Sequence, residues 1–370
     1  MSRGDRDLGR NVAASDRVVV PRVWLRREHQ RLGRAAVRSL ETDLDEGGRE
    51  DEAEVGAAPL VRPITPGERT MADRSPTQRA SDFDPEVLLV FDQYVHGDID
   101  RRTFLERVGK LAVGTVTAAG LLTALSPRFA EAQQVAPSDA RLEAGYVEYH
   151  SPRGYGWARG YLVRPAKVTG PLPLVLVVHE NRGLNPHIED VARRMALENF
   201  LVLAPDALFP LGGYPGDEDQ ARALFQKLEQ PKAFEDFVAA TQYLRAQPGA
   251  GKRIGVVGFC YGGAIANRLA VALPELAAAV PFYGSAPPLE NVGAIKAELL
   301  IHFAANDERV NASWPPYEAA LKAAGVKYTA HVYPDTQHGF HNDTTPRYDA
   351  EAAELAWRRT VEFFNRTLRG

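Results

Sequence analysis

The sequence runs to 370 residues, with 45% apolar and 25% charged side chains and a formal net charge of −4. That suffices for an ordinary core and offers no basic field for nucleic acid, and no stretch reaches the roughly 18 apolar residues of a stable membrane span. Cys260 is the sole cysteine, so no disulfide can form within the chain.

Residues 1–83 lack sustained periodicity and contain acidic and glycine-rich clusters such as the run from Asp43 to Glu52. A stretch of that kind buries too little apolar surface to offset its ordering entropy, which predicts disorder; Met71 is an alternative start within it. Residues 84–110 carry Val87, Leu88, Phe91, Tyr94 and Val95 at helical spacing, broken by His96-Gly97-Asp98. Arg101 and Arg102 then precede a mild apolar run from Leu111 to Leu125 and an Ala130-Glu131-Ala132 site. This is the plan of a twin-arginine signal, so residues 84–135 are expected to direct export to the periplasm, with cleavage before Gln133. The competing reading keeps the segment as amphipathic helices packed on a cytoplasmic enzyme, and Glu106 inside the motif favours that alternative.

From residue 136 to 370 short apolar runs alternate with helical stretches. Strands are expected at Gly160–Arg164, Leu174–Val178, Phe200–Ala204, Arg253–Val257, Ala278–Phe282, Leu299–Phe303 and Tyr328–Val332. Helices are expected at His187–Glu198, Asp217–Leu228, Lys232–Ala246, Tyr261–Leu273, Pro316–Ala324 and Asp349–Thr367. Runs such as Leu174 to Val178 are apolar on both faces, so helices must cover both sides of the sheet. The fold class is α/β, a mostly parallel doubly wound sheet of the α/β-hydrolase kind, in one catalytic domain.

The strongest local signal is Gly258-Phe259-Cys260-Tyr261-Gly262-Gly263, where a strand feeds directly into a helix. This is the nucleophile-elbow pattern G-x-C-x-G with cysteine as nucleophile. Glycines two residues either side admit the tight turn, and the helix N-terminus favours a thiolate. In such a fold the chain order is nucleophile, acid, histidine. Asp307 follows the expected strand Leu299–Phe303 and is the candidate acid, with Glu308 its competitor. His338 opens the loop after the last strand and is the candidate base, with His341 its competitor. An oxyanion hole is expected from the backbone N–H groups of Tyr261 and Asn181.

Together with Val178-His179-Glu180-Asn181-Arg182-Gly183-Leu184, Ala204-Pro205-Asp206, Phe282-Tyr283-Gly284, Asn306-Asp307 and His338-Gly339-Phe340, these residues resemble the dienelactone hydrolase family from about residue 140 to 370. The resemblance implies a Cys-Asp-His triad acting on esters or lactones, which here would proceed through an acyl-enzyme; the sequence itself implies no metal and no organic cofactor. It also implies that Glu180 approaches the thiol and takes part in its activation; a glutamate at that strand end can accept a proton from it. The family's arginine grip on a substrate carboxylate is out of register here, leaving Arg182 and Arg347 as candidates and a substrate without a carboxylate as an option. A non-catalytic binding protein of this fold, and a thioesterase or peptidase with the same triad, are the alternatives.

Overall fold

The computed structural model describes residues 78–111 and 117–370, so the expectation of disorder over residues 1–77 lies outside the described residues. Ala80–Asp82 forms a turn of 3-10 helix and Phe83 is buried. Helix α1 (Pro85–His96) starts with Asp84 capping the Glu86 amide and Pro85 in the first turn, where a missing N–H costs nothing. It stops at Gly97, whose φ of 84° turns the chain out of the helix. Helices α2 (Arg101–Leu111), α3 (Ala118–Leu125) and α4 (Phe129–Ala132) follow. Phe91, Tyr94, Phe104, Val108, Leu122 and Leu125 form a small core of their own. The twin arginines open α2, and the Ala130–Ala132 site lies in α4.

The sheet is built from β1 (Leu142–Ser151), β2 (Gly156–Pro165), β3 (Leu172–Val178), β4 (Leu201–Pro205), β5 (Ala250–Phe259), β6 (Ala278–Phe282), β7 (Glu298–Asn306) and β8 (Tyr328–Gln337). Interleaved with them are α5 (Pro186–Leu197), α6 (Glu218–Phe225), α7 (Gln230–Arg245), α8 (Tyr261–Ala272), α9 (Glu308–Asn311), α10 (Trp314–Ala324) and α11 (Ala350–Leu368). The strand order is β1-β2-β4-β3-β5-β6-β7-β8, antiparallel at β1–β2 and β2–β4 and parallel elsewhere. In β3, Leu174, Leu176 and Val178 belong to the core layer that includes α7 and α8, while Val175 and Val177 belong to the layer that includes α5 and α11. Burying both faces is why the strand reads as an unbroken apolar run. Strand β1 was not among the expected elements: it is an edge strand with mostly exposed side chains, so no apolar alternation marks it. No helix among the described residues is long and apolar enough to cross a membrane.

A buried ionic cluster ties the segment after α4 to the sheet domain. Arg194 of α5 donates to Asp190 and, at 2.6 Å, to Asp343, while Asp190 accepts from the Val135 amide at 2.7 Å. Arg194→Ala would remove the guanidinium that two buried carboxylates share, a loss of at most about 3–5 kcal/mol, since Arg193 stays beside Asp190 and His187 beside Asp343. Urea unfolding should read it as a lower midpoint at unchanged slope, and a wild-type midpoint would show the cluster to be idle.

Candidate active site

The carboxyl end of the parallel strands is where open α/β sheets place their sites. There β5 turns into α8 at Cys260, whose φ of 55° lies in a region that side chains other than glycine rarely adopt. The turn is possible only because a Cβ at Gly258 would stand 2.0 Å from the Gly262 carbonyl and a Cβ at Gly262 2.2 Å from the Val178 carbonyl. The chain is held there by the Cys260 amide donating to the Phe282 carbonyl at 3.1 Å.

Asp307 follows β7 and caps α9, and its Oδ2 lies 2.5 Å from His338 Nδ1, just after β8. Both side chains are buried, and the ring of Tyr283 lies against the imidazole, 4.9 Å between centroids. The Sγ of Cys260 and a ring nitrogen of His338 are within 4.8 Å of each other. Burial pushes the thiol up, but the facing His338 and His96 outweigh it and hold Cys260 down at about 6. Burial likewise opposes charge on His338, yet the Cys260 thiolate and Asp307 raise it to about 10. Both shifts favour the charged form, a thiolate facing an imidazolium.

Of the competitors, Glu308 is exposed and His341 is packed flat on Phe259, 5.0 Å between centroids. Burial, with Arg194 and His187 nearby, lowers His341 to about 3, so it stays neutral in the fold. Since the folded pKa is depressed, the unfolded chain takes up a proton below about pH 6.5 that the folded chain refuses. Stability contributed by this group is whole above that pH and drains as the pH falls toward 3; Asp343, also depressed, works in the same direction. The midpoint of thermal unfolding should therefore drop from pH 7 to pH 4.5, and His341→Phe should flatten that drop.

Glu180 follows β3, but no hydrogen bond joins it to Cys260; its Oε2 accepts from Asn342 Nδ2 at 2.9 Å. Arg182 and Arg347 are buried and turned to α1: Arg182 donates to the Val95 carbonyl at 3.1 Å, and Arg347 pairs with Asp92 at 3.5 Å. Together with Glu180 they line a cavity of about 320 Å³. The side chain of Asn181 also donates to the Val95 carbonyl, at 2.9 Å. A second pocket of about 240 Å³ opens directly on the thiol and is bounded by His96, Asn181, Cys260, Tyr283, Ser285 and Arg309. His96 is the site residue that sequence reasoning missed. Its Nε2 stands 3.5 Å from Cys260 Sγ, 3.2 Å from His338 Nε2 and 2.8 Å from Arg309 Nη2. Separated from Cys260 by 164 positions and placed at a helix end, it shows no motif spacing.

Residues 158–368 match the dienelactone hydrolase family. The chain belongs to that family. Residues 75–111, which include α1 and α2, match a second family described as YqhI-like. Among curated proteins, a "Putative carboxymethylenebutenolidase" of Escherichia coli (strain K12) is 32% identical over 267 residues, covering 68% of this chain and 97% of the relative. A "Putative hydrolase fragment YghX" of the same organism is 53% identical over 114 residues, 31% of this chain and 97% of the relative. Among solved structures, a putative dienelactone hydrolase from Klebsiella pneumoniae superposes with a TM-score of 0.54 at 29% identity, covering 60% of this chain and 98% of the other. In this dienelactone hydrolase-family chain the α/β-hydrolase sheet is overlaid by helices whose last residue before Gly97 reaches the elbow.

Proposed function

We propose that this hydrolase cleaves carboxylic ester or lactone bonds through a thioester acyl-enzyme on Cys260. The observation that carries the reading is the Asp307–His338 pair, 2.5 Å apart, set beside a thiol on a glycine elbow. The thiolate attacks the substrate carbonyl, and the developing oxyanion is met by the backbone N–H groups of Tyr261 and Asn181. His338, as imidazolium, gives its Nε2 proton to the departing alcohol. It then takes a proton from the water that splits the thioester, and the thiolate is restored. Asp307 keeps the imidazole in the tautomer that presents Nε2 and balances its charge. Glu180, held by Asn342, acts on the field around the thiol rather than as its direct acceptor.

Arg182 and Arg347 are occupied by α1, which favours substrates without a carboxylate. Iodoacetamide tests the mechanism: one equivalent should alkylate Cys260 and stop hydrolysis of p-nitrophenyl acetate in proportion. Fully alkylated protein that keeps its turnover would remove the thiol from the mechanism.

Export by way of Arg101 and Arg102 is a separate proposal with a structural consequence. Cleavage before Gln133 would take His96 out of the site. N-terminal sequencing of the protein from fractionated cells decides it: a start near Gln133 outside the cytoplasm supports export, and a full-length cytoplasmic species refutes it.

A further inference from the structure

The strongest unexplained feature is the approach of two imidazole Nε2 atoms, His96 and His338, to 3.2 Å beside a thiol. Each ring has its Nδ1 engaged, and so directs Nε2 at the same point. His96 Nδ1 lies 2.8 Å from the Asp92 carbonyl and 3.3 Å from its Oδ2, and His338 Nδ1 lies 2.5 Å from Asp307 Oδ2. A carboxylate behind a histidine that turns its other nitrogen forward is the usual support of a metal ligand. Here the arrangement occurs twice around one sulfur.

The spacing fits a particular ion. Tetrahedral zinc, with Zn–N of about 2.0–2.1 Å and Zn–S of about 2.3 Å, sets N···N edges of about 3.3 Å and N···S edges of about 3.6 Å. The corresponding distances are 3.2 Å between the two nitrogens and 3.5 Å from His96 Nε2 to Cys260 Sγ. The remaining edge, from the sulfur to His338, lies inside the 4.8 Å that encloses all three atoms. Two of the three residues, His96 and Cys260, also line the pocket that opens on the thiol, with Ser285 and Arg309 among its other walls.

We propose that His96, Cys260 and His338 form a binding site for zinc, or another ion of the same coordination preference, and that its occupation reversibly switches the hydrolase off. The site itself needs only these three atoms; the switching rests on the reading of Cys260 and His338 as nucleophile and base. On binding, the sulfur coordinates as thiolate and His338 Nε2 releases its proton to solvent, so the ion removes both catalytic groups at once. Zinc with one thiolate and two neutral imidazoles carries one net positive charge, which Asp92 and Asp307 offset from behind. Arg309 opposes the ion: its guanidinium stands 2.8 Å from the His96 Nε2 that zinc would use. It is exposed and free to swing into water. The N-terminal helices thus contribute one ligand, and the α/β-hydrolase sheet the other two.

The test uses the full chain with Zn²⁺ alone, in competition with a chromogenic chelator. Wild type should bind one equivalent, lose p-nitrophenyl acetate hydrolysis in step with occupancy and recover with EDTA. Asp92→Asn, which leaves all three ligands in place, should raise the zinc concentration for half-occupancy by about 10- to 100-fold, and His96→Ala by at least as much. Arg309→Gln should lower it, because a competing positive charge beside the ion is gone. Co²⁺ in the wild type should show a thiolate-to-metal charge-transfer band that Cys260→Ala lacks. Zinc affinity unchanged in both His96→Ala and Asp92→Asn would overturn the three-ligand site, as would a wild type that takes up no stoichiometric zinc. Stoichiometric zinc with the thiolate band in a protein without esterase activity would uphold the site and reject the hydrolase reading instead.

Discussion

Cys260→Ala should lower turnover of p-nitrophenyl acetate by roughly 10⁴-fold or more, because no acyl-enzyme can form and only binding and the oxyanion donors remain. The fold should survive. Cys260 is partly exposed, its backbone strain belongs to the turn rather than to the sulfur, and alanine keeps the Cβ that the elbow already accommodates. Cys260→Ser should fold and stay slow, since a hydroxyl lacks the thiol's readiness to ionise beside His338. Steady-state kinetics together with a thermal melt separate the outcomes. An alanine variant with the wild-type melting curve and turnover within tenfold of wild type would sink the covalent mechanism.

His338→Ala should cost about 10²- to 10⁴-fold in turnover, the scale of a general acid and base, while His341→Ala should leave turnover near that of wild type. The difference lies in what each ring faces. His338 has a carboxylate 2.5 Å behind it and the thiol in front, whereas His341 lies on Phe259 among buried groups that keep it neutral. The alanine at 341 should show its effect in stability, through a void beside Phe259 and Phe282. The reverse pattern, with turnover lost at 341 and kept at 338, would transfer the role of base.

Much of this protein is legible in its sequence because the physics involved is local. A strand buried on both faces must be apolar throughout, so β3 announces itself in Leu174 to Val178. A turn that brings Gly262 onto the Val178 carbonyl admits no Cβ, so the elbow is written as two glycines around Cys260. Asp307 and His338 are found from chain order, because each strand of a parallel sheet delivers its following loop to the same edge. The edge strand β1 escapes for the converse reason, since solvent on its outer side asks for no pattern.

Contacts made across the fold leave no such mark. Glu180 stands where the family motif puts it, yet its carboxylate is taken by Asn342, 162 positions away. Arg182 and Arg347 are buried cations whose partners on α1 have no fixed spacing from them. His96 reads in the sequence as part of a helix break. It becomes a neighbour of Cys260 only because the α1–α2 pair buries Phe91, Tyr94 and Phe104 in its own small core and docks through Tyr94, Val95 and Arg101 on Asp219, Asn181 and Arg182. Composition and periodicity settle which segments form strands and helices. The neighbours of a side chain more than a hundred positions away are settled only by packing, since that is where burial and charge pairing between distant segments are first satisfied together.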